Sequence, residues 1–232
     1  MEAIVLAGGL GTRLAGRLQG VPKPMAPIAG RPFLEILLAQ LHQSGCSRVI
    51  LSVGHLHAVI QNHFGSAYRG MELHSVIEHT PLGTGGAIRA ALAHATEESV
   101  LVLNGDTFLQ VSYAELLQSH LLAQSCLTIA VARQEDIARY GGVVLAGNSI
   151  VGFEEKGRSG PGWINAGVYA LQRNFPWPAN LPEKFSFETD ILATHLPTLK
   201  PAAYRTNGYF LDIGVPEDLD RAQTELASLT CE

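Results

Sequence analysis

The chain has 232 residues, 47% hydrophobic and 16% charged, which is enough apolar material to bury one α/β core without staples and too much for a disordered segment. Its net charge of −5 excludes a broad nucleic-acid surface, which would be basic, but not a few positioned cations and N–H groups around a small anion. Cys46, Cys126 and Cys231 are odd in number, far apart and outside any CxxC pattern, so reduced thiols are expected rather than a disulfide framework or a structural zinc.

The predicted elements alternate from the start. Residues 3–6 form a short apolar run ending at glycines, which suits a buried strand. No basic region with a cleavable apolar segment stands before it, and no apolar run approaches the ~20 residues of a membrane helix. A cytoplasmic protein without a membrane is therefore expected. A helix is predicted after Pro32, with Phe33, Ile36, Leu37 and Leu41 at helical spacing before Gly45. Residues 48–53 read as a strand, 56–64 as a helix, 72–78 as a strand and 87–95 as a helix after a glycine-rich turn. Residues 99–103 read as a strand ending at Asn104-Gly105-Asp106, 113–124 as a helix and 127–132 as a strand. After Tyr140, residues 143–146 and 150–154 flank Gly147-Asn148 as a hairpin. A strand over 164–171, a short helix over 187–194, a strand over 209–213 and a helix over 216–229 follow.

This rhythm predicts an α/β fold: a Rossmann-like, mixed, mostly parallel sheet with helices on both faces. It forms a single domain over residues 1–232. Ligands of such sheets sit beyond the carboxyl ends of the strands. That edge collects both glycine-rich stretches and Asp106.

Three stretches carry chemistry. The first is Leu6-Ala7-Gly8-Gly9-Leu10-Gly11-Thr12-Arg13-Leu14, followed by Pro22-Lys23-Pro24. Its glycines let a polyphosphate approach backbone N–H groups. Arg13 offers a fork of donors and Lys23 a compact charge. A Rossmann fingerprint fails because its third glycine falls on Leu14. A P-loop fails because Arg17-Leu18 follows Gly16. A glycine turn with surface cations is the plainer alternative. The second stretch is Asn104-Gly105-Asp106, where a carboxylate at the mouth of a strand suits Mg²⁺; a turn or helix cap is the alternative. Asp212 is a second strand-end carboxylate, with an N-cap or turn role as its alternative. The third is Pro81-Leu82-Gly83-Thr84-Gly85-Gly86-Ala87, which could hold a base or an anion through backbone groups, or serve only as a tight turn. His55 and His57 match no metal spacing, and Trp163 and Trp177 read as packing residues. No Gly-x-Ser-x-Gly elbow is present.

Together these residues resemble the nucleoside-diphosphate-sugar pyrophosphorylases, the sugar-phosphate nucleotidylyltransferases. The match L-A-G-G-x-G-T-R-L…P-K-P at residues 6–14 and 22–24 continues through Gly83–86, Asn104-Gly105-Asp106, Tyr140-Gly141, Glu155-Lys156, Asn165-Ala166-Gly167-Val168-Tyr169 and Asp212. It spans almost the whole chain. Residues 23–28, 32–35 and 81–87 look most like the heptose 1-phosphate guanylyltransferase branch. The resemblance implies the fold of nucleotide-diphospho-sugar transferases, with residues 1–139 mainly nucleotide-binding and 140–215 mainly sugar-phosphate-binding.

It also implies roles. Leu6, Ala7, Gly8 and Gly9 would line the nucleotide, together with Gly83. Gly11, Thr12 and Arg13 would cradle the triphosphate, with Arg13 on the leaving pyrophosphate. Lys23 would bridge phosphate oxygens near the reacting phosphorus. Asp106 and Asp212 would hold Mg²⁺. Gly141, Glu155, Lys156 and Asn165 would hold a sugar 1-phosphate. Arg13, Lys23 and Asp106 form the expected catalytic set. Gly157 stands where many relatives have proline, which leaves that turn less restrained. The chain ends soon after Asp212, so the β-helix domain that some relatives append is not expected; a monomer or a homodimer is expected.

Glu78 lies five residues before Gly83, where relatives acting on thymidine or uridine nucleotides often carry glutamine. Guanine offers adjacent N1–H and 2-amino donors, and a carboxylate can accept both. GTP is therefore the favoured nucleoside triphosphate, with a surface glutamate as the alternative. Within the class the rivals are a mannose-1-phosphate guanylyltransferase and an amino-sugar-1-phosphate uridylyltransferase; outside it they are a nucleotide-sensing module without turnover and a dinucleotide-dependent oxidoreductase.

Overall fold

The central strands are apolar on both faces. In β1 (Glu2–Leu6) the buried Ala3 and Val5 join one hydrophobic cluster and Ile4 joins another. β4 (Arg48–Val53) divides Val49, Leu51 and Val53 from Ile50, and β7 (Ser99–Asn104) divides Leu101 and Leu103 from Val100 and Val102. Successive side chains of a strand point to opposite faces, so both faces need a helical cover. α2 (Phe33–Gln43), α3 (His57–Phe64), α5 (Tyr113–Ala123) and α7 (Pro216–Leu229) cover the first, through Leu37, Ile60, Leu116 and Leu226. α4 (Gly83–Leu92) and a continuous helical stretch ending in α6 (Thr194–Leu199) cover the second, through Ile88, Ile191 and Leu199.

The computed structural model describes residues 1–9, 11, 14–18 and 20–229. The expectations for Thr12 and Arg13 on the triphosphate, and for the Cys231 thiol, lie outside the described residues. Among the described residues one ten-stranded sheet forms the core. Its remaining strands are β5 (Ala67–Tyr68), β6 (Met71–Ile77), β9 (Leu127–Gln134), β10 (Gly142–Ala146), β11 (Ser149–Glu154), β12 (Gly162–Gln172) and β13 (Ala202–Thr206). The order is β10-β11-β13-β9-β12-β7-β1-β4-β6-β5. Within its centre β13, β9, β7, β1, β4 and β6 run one way and β12 runs against them. This is the expected mixed, mostly parallel sheet. The hairpin around Gly147-Asn148 is present, and it joins the sheet through the pair Ser149 and Ala202.

The structure departs from the sequence reading in three places that matter to the site. α4 begins at Gly83, four residues before the predicted start, so the glycine-rich stretch is the first turn of the helix. The helix predicted over 187–194 is π-helical from Phe187 to Ala193 and continues as α6 past Pro197. The strand predicted over 209–213 is β14 (Phe210–Asp212), which leaves the main sheet and pairs antiparallel with β8 (Thr107–Leu109). Short elements complete the chain: α1 (Ala15–Leu18), a 3₁₀ turn at Lys23–Met25, and the ribbon of β2 (Pro27–Ile28) with β3 (Arg31–Pro32). Trp177 packs in a cluster with Phe175, Phe185 and Phe187. Cys46 and Cys126 are free thiols. No helix among the described residues is long and apolar enough to cross a membrane.

Glu2 anchors the start of the central strand at 1% exposure. Its carboxylate accepts the N–H groups of Thr96 at 2.8 Å and Glu97 at 3.0 Å and pairs with Arg48. Burial pushes this carboxyl up, but the Glu97 and Thr96 amides and Arg48 outweigh it and leave the group below its ordinary value. A folded-state value below the unfolded one gives stability that is complete above the unfolded value and is lost as pH falls through the folded one. Glu2→Gln is expected to lower the Tm at pH 7, with the gap from wild type narrowing below about pH 4. Thermal melts from pH 7 to 3 check this, and a gap constant across the series would remove the charge as the cause.

Candidate active site

The ends of β1 and β7 lie side by side, Leu6 against Asn104, and the Gly105 N–H donates to the Leu6 carbonyl at 3.0 Å. The loops that leave them enclose a cleft of about 280 Å³, lined by Leu6, Gly8, Gly9, Lys23, Glu78, Gly83 and Asp106 among others. Six expected nucleotide or catalytic positions therefore meet there with the base-reading candidate. Ala7 does not: it is 1% exposed, packs into the core, and gives its N–H to the Ser52 carbonyl at 2.7 Å. Gly11 is not among the lining residues and lies against Lys23, where a side chain would meet Lys23 Cβ at 3.3 Å.

Lys23 occupies the 3₁₀ turn between Pro22 and Pro24 and is only 8% exposed. Its ammonium pairs with Asp106 and lies 4.0 Å from Asp212. The β8–β14 ribbon makes this arrangement possible. Asp212 faces Thr107 across it, the Ile213 N–H donates to the Asp106 carbonyl at 2.9 Å, and the Thr107 hydroxyl donates to the Asp106 carboxylate at 3.3 Å. Asp212 also accepts the Gly214 N–H at 2.7 Å, so it fills the turn role as well. Burial, then the neighbouring Asp106, push the Asp212 carboxyl up against the opposing pull of Lys23. Two carboxylates with one ammonium leave a net negative, all-oxygen donor set, which fits a hard divalent cation that takes its other ligands from water and phosphate. Among the described residues no group of three or more His, Cys, Asp and Glu is arranged to hold a metal.

Glu78 follows β6 directly and its N–H donates to the Val53 carbonyl at 2.7 Å. One carboxylate oxygen accepts the Ser52 hydroxyl at 2.8 Å and the other the Leu82 N–H at 3.2 Å. Gly8 lies against it, so close that a Cβ there would meet Glu78 Oε1 at 2.7 Å. Glu78 is thus built into the cleft wall and is not a loose surface glutamate. Its other side faces a second cavity, lined by Gly54, His55, Leu56, His57, His79 and Pro81 among others.

The second glycine-rich stretch lines the cleft through Gly83 and Thr84 but spends Gly85 and Gly86 on packing. The N–H groups of Gly85 and Gly86 both point to the Phe185 carbonyl, at 3.0 and 3.4 Å. A Cβ at Gly85 would fall 2.2 Å from the Phe185 ring, and one at Gly86 would fall 2.6 Å from the Glu183 carbonyl. The segment before the π-helix thus takes the Gly85 and Gly86 amides, so within this stretch the expectation of a backbone contact to a base or an anion is left to Gly83. Thr84, which the sequence reading left without a role, lines the cleft. Its hydroxyl donates to Glu188 at 2.7 Å and accepts the Phe187 N–H at 2.8 Å.

On the sugar-phosphate side, Asn165 sits beside a bulge in β12, its carbonyl oxygen accepting the Gly167 N–H at 3.0 Å and its amide donating to the buried Tyr169 hydroxyl at 2.9 Å. Gly167 in turn abuts Asn104 at the cleft. Gly141 is held near the β8–β14 ribbon. Its neighbour Tyr140 stacks edge-on against Phe210, and Arg139 pairs at 2.5 Å with Asp218, which is 2% exposed. Glu155 and Lys156 are exposed and line neither cavity, so the structure does not bring them to Lys23. Among residues the sequence reading missed, Ser52 and Glu188 have no local motif. Thr84 was signalled only by its place among the glycines.

The sequence profile described as Nucleotidyl transferase matches residues 2–228. The chain belongs to this family. It is 41% identical over 226 residues to the D-glycero-α-D-manno-heptose 1-phosphate guanylyltransferase of Aneurinibacillus thermoaerophilus, covering 97% of this chain and 98% of that one. The protein of the same name from Campylobacter jejuni is 42% identical over 219 residues, covering 94% and 96%. The crystal structure of HddC from Yersinia pseudotuberculosis complexed with GMP-PN superposes with a TM-score of 0.84 at 36% identity, covering 97% of this chain and 99% of that one.

Lys23→Met keeps length and apolar bulk but leaves Asp106 and Asp212 facing each other without a cation. Nucleotidyl transfer, read as pyrophosphate release, is expected to fall about 10²–10³-fold in kcat, as for loss of one preorganised donor. Turnover within a few-fold of wild type would show that the buried ammonium is only structural.

Proposed function

We propose that this enzyme transfers GMP from GTP to D-glycero-α-D-manno-heptose 1-phosphate, giving GDP-heptose and pyrophosphate in the cytoplasm. The observation that carries the reading is the buried Lys23 ammonium, which lines the cleft paired with Asp106 and lies 4.0 Å from Asp212. The two guanylyltransferase relatives at 41% and 42% identity support the choice of substrates. Glu78 in the cleft wall, as an acceptor for the guanine edge, supports GTP independently of them.

An oxygen of the sugar phosphate attacks the α-phosphorus of GTP. The new P–O bond forms as the bond to the β-phosphate oxygen breaks, and pyrophosphate leaves with the electron pair. The attacking phosphate is ionised at neutral pH, so no general base is needed. The work left to the protein is alignment and charge stabilisation. Leu6, Gly8 and Gly9 line the nucleotide. Lys23 faces the reacting phosphate, and Arg13 with Thr12 and Gly11 takes the leaving pyrophosphate. Asp106 and Asp212 would hold Mg²⁺, which supplies charge neutralisation on the triphosphate. Gly141 and Asn165, within residues 140–215, receive the sugar phosphate; Glu155 and Lys156, which the resemblance adds to that set, stay exposed and outside the cleft in this structure.

The test is pyrophosphate release with Mg²⁺, crossing four nucleoside triphosphates against heptose, mannose and glucose 1-phosphates. Turnover confined to GTP with the heptose phosphate is expected. Comparable turnover with UTP or dTTP would overturn the base assignment, and a preference for mannose 1-phosphate would overturn the sugar.

A further inference from the structure

Ser52 is out of keeping with its surroundings. It is fully buried in the middle of the sheet, between Leu6 of β1 and Val76 of β6. The other interior residues of its strand, Val49, Ile50, Leu51 and Val53, are aliphatic. A hydroxyl in such a place is costly unless bonded. Alanine or valine would serve the strand better, so the reason for serine lies with its partner. That partner is Glu78, whose Oε1 accepts the hydroxyl at 2.8 Å.

Glu78 is thereby held on three sides: by Ser52 at Oε1, by the Leu82 N–H at Oε2, and by the Gly8 backbone packed against Oε1. An ionised carboxylate offers about four acceptor lobes. One hydrogen bond to each oxygen leaves capacity on each, and Glu78 borders the nucleotide cleft. Two donors on one base edge are matched by two oxygens only when the carboxylate plane is fixed. A carboxylate free to rotate meets one donor at a time, and a purine without the second donor then serves nearly as well.

We propose that Ser52 is a positioning residue for base selection, its hydroxyl fixing the rotation of the Glu78 carboxylate so that both oxygens meet the N1–H and 2-amino group of guanine. This rests on the reading of Glu78 as the guanine acceptor and adds what holds it in place.

The test compares GTP with inosine triphosphate, which lacks the 2-amino group, in wild type, Ser52→Ala, Ser52→Cys and Glu78→Gln. Wild type favours GTP. In Ser52→Ala the ratio of kcat/KM for GTP over inosine triphosphate falls about tenfold, the size of one charge-assisted hydrogen bond. The loss lies in KM for GTP, while kcat stays within about threefold. Ser52→Cys, with a weaker donor at similar volume, gives an intermediate ratio and decides the matter if the alanine variant does not fold. An equal loss for both nucleotides, or an unchanged ratio, overturns the role of Ser52. If Glu78→Gln keeps the wild-type ratio, the base reading itself is overturned. A collapse in Glu78→Gln beside an unchanged Ser52→Ala overturns Ser52 alone.

Discussion

An ammonium group withdrawn from water needs anions around it, and Lys23 has two, Asp106 and Asp212. Much of the cleft follows from that requirement. The two carboxylates arrive from strands more than a hundred residues apart, and the short β8–β14 ribbon exists to bring them together. The prolines on either side of Lys23 stiffen the turn that carries it. Because the aspartates outnumber the lysine, the set keeps a negative charge. That residual charge suits a divalent cation arriving with a triphosphate. The same three side chains can thus be stable before substrate binds and still electrostatically receptive when it does.

A second constraint is closeness of backbone. Glycines in a nucleotide-binding loop suggest room for phosphate, and Gly8 and Gly9 do line the cleft. Gly85 and Gly86 have a different purpose: they let α4 press against residues 183–187, at the end of which the π-helix begins. π-helical segments are rare and gather near functional sites. Here Glu188, in its first turn, receives the Thr84 hydroxyl from the cleft wall.

How far the sequence could be read depended on how local the cause was. The strand over residues 48–53 and the helix over 216–229 were legible to their ends, because apolar periodicity and a proline start are local signals. β13 was not, since its residues Ala202, Ala203, Tyr204, Arg205 and Thr206 make no apolar run; its pairing with β9 defines it. The start of α4 was misplaced because glycine propensity argues for a turn, while packing against Phe185 overrides it. At the site, Asp106 and Asp212 stood out as strand-end carboxylates and Lys23 as a charge between two prolines, while their roles came from the family resemblance. Ser52 was invisible: a lone serine in an aliphatic strand gains meaning only when Glu78, twenty-six residues on, is folded over it.

The β8–β14 ribbon has a consequence for the order in which the protein comes into being. β1 and β7, whose ends Leu6 and Asn104 line the cleft, lie within the first 104 residues, whereas Asp212 is delivered by β14. Closing so long a loop is entropically late in folding, and chains emerge from synthesis amino end first. A growing chain could shape its nucleotide pocket well before it completes the paired carboxylates. On the proposed role of Asp106 and Asp212, competence for transfer would come only with the docking of the carboxyl-terminal segment.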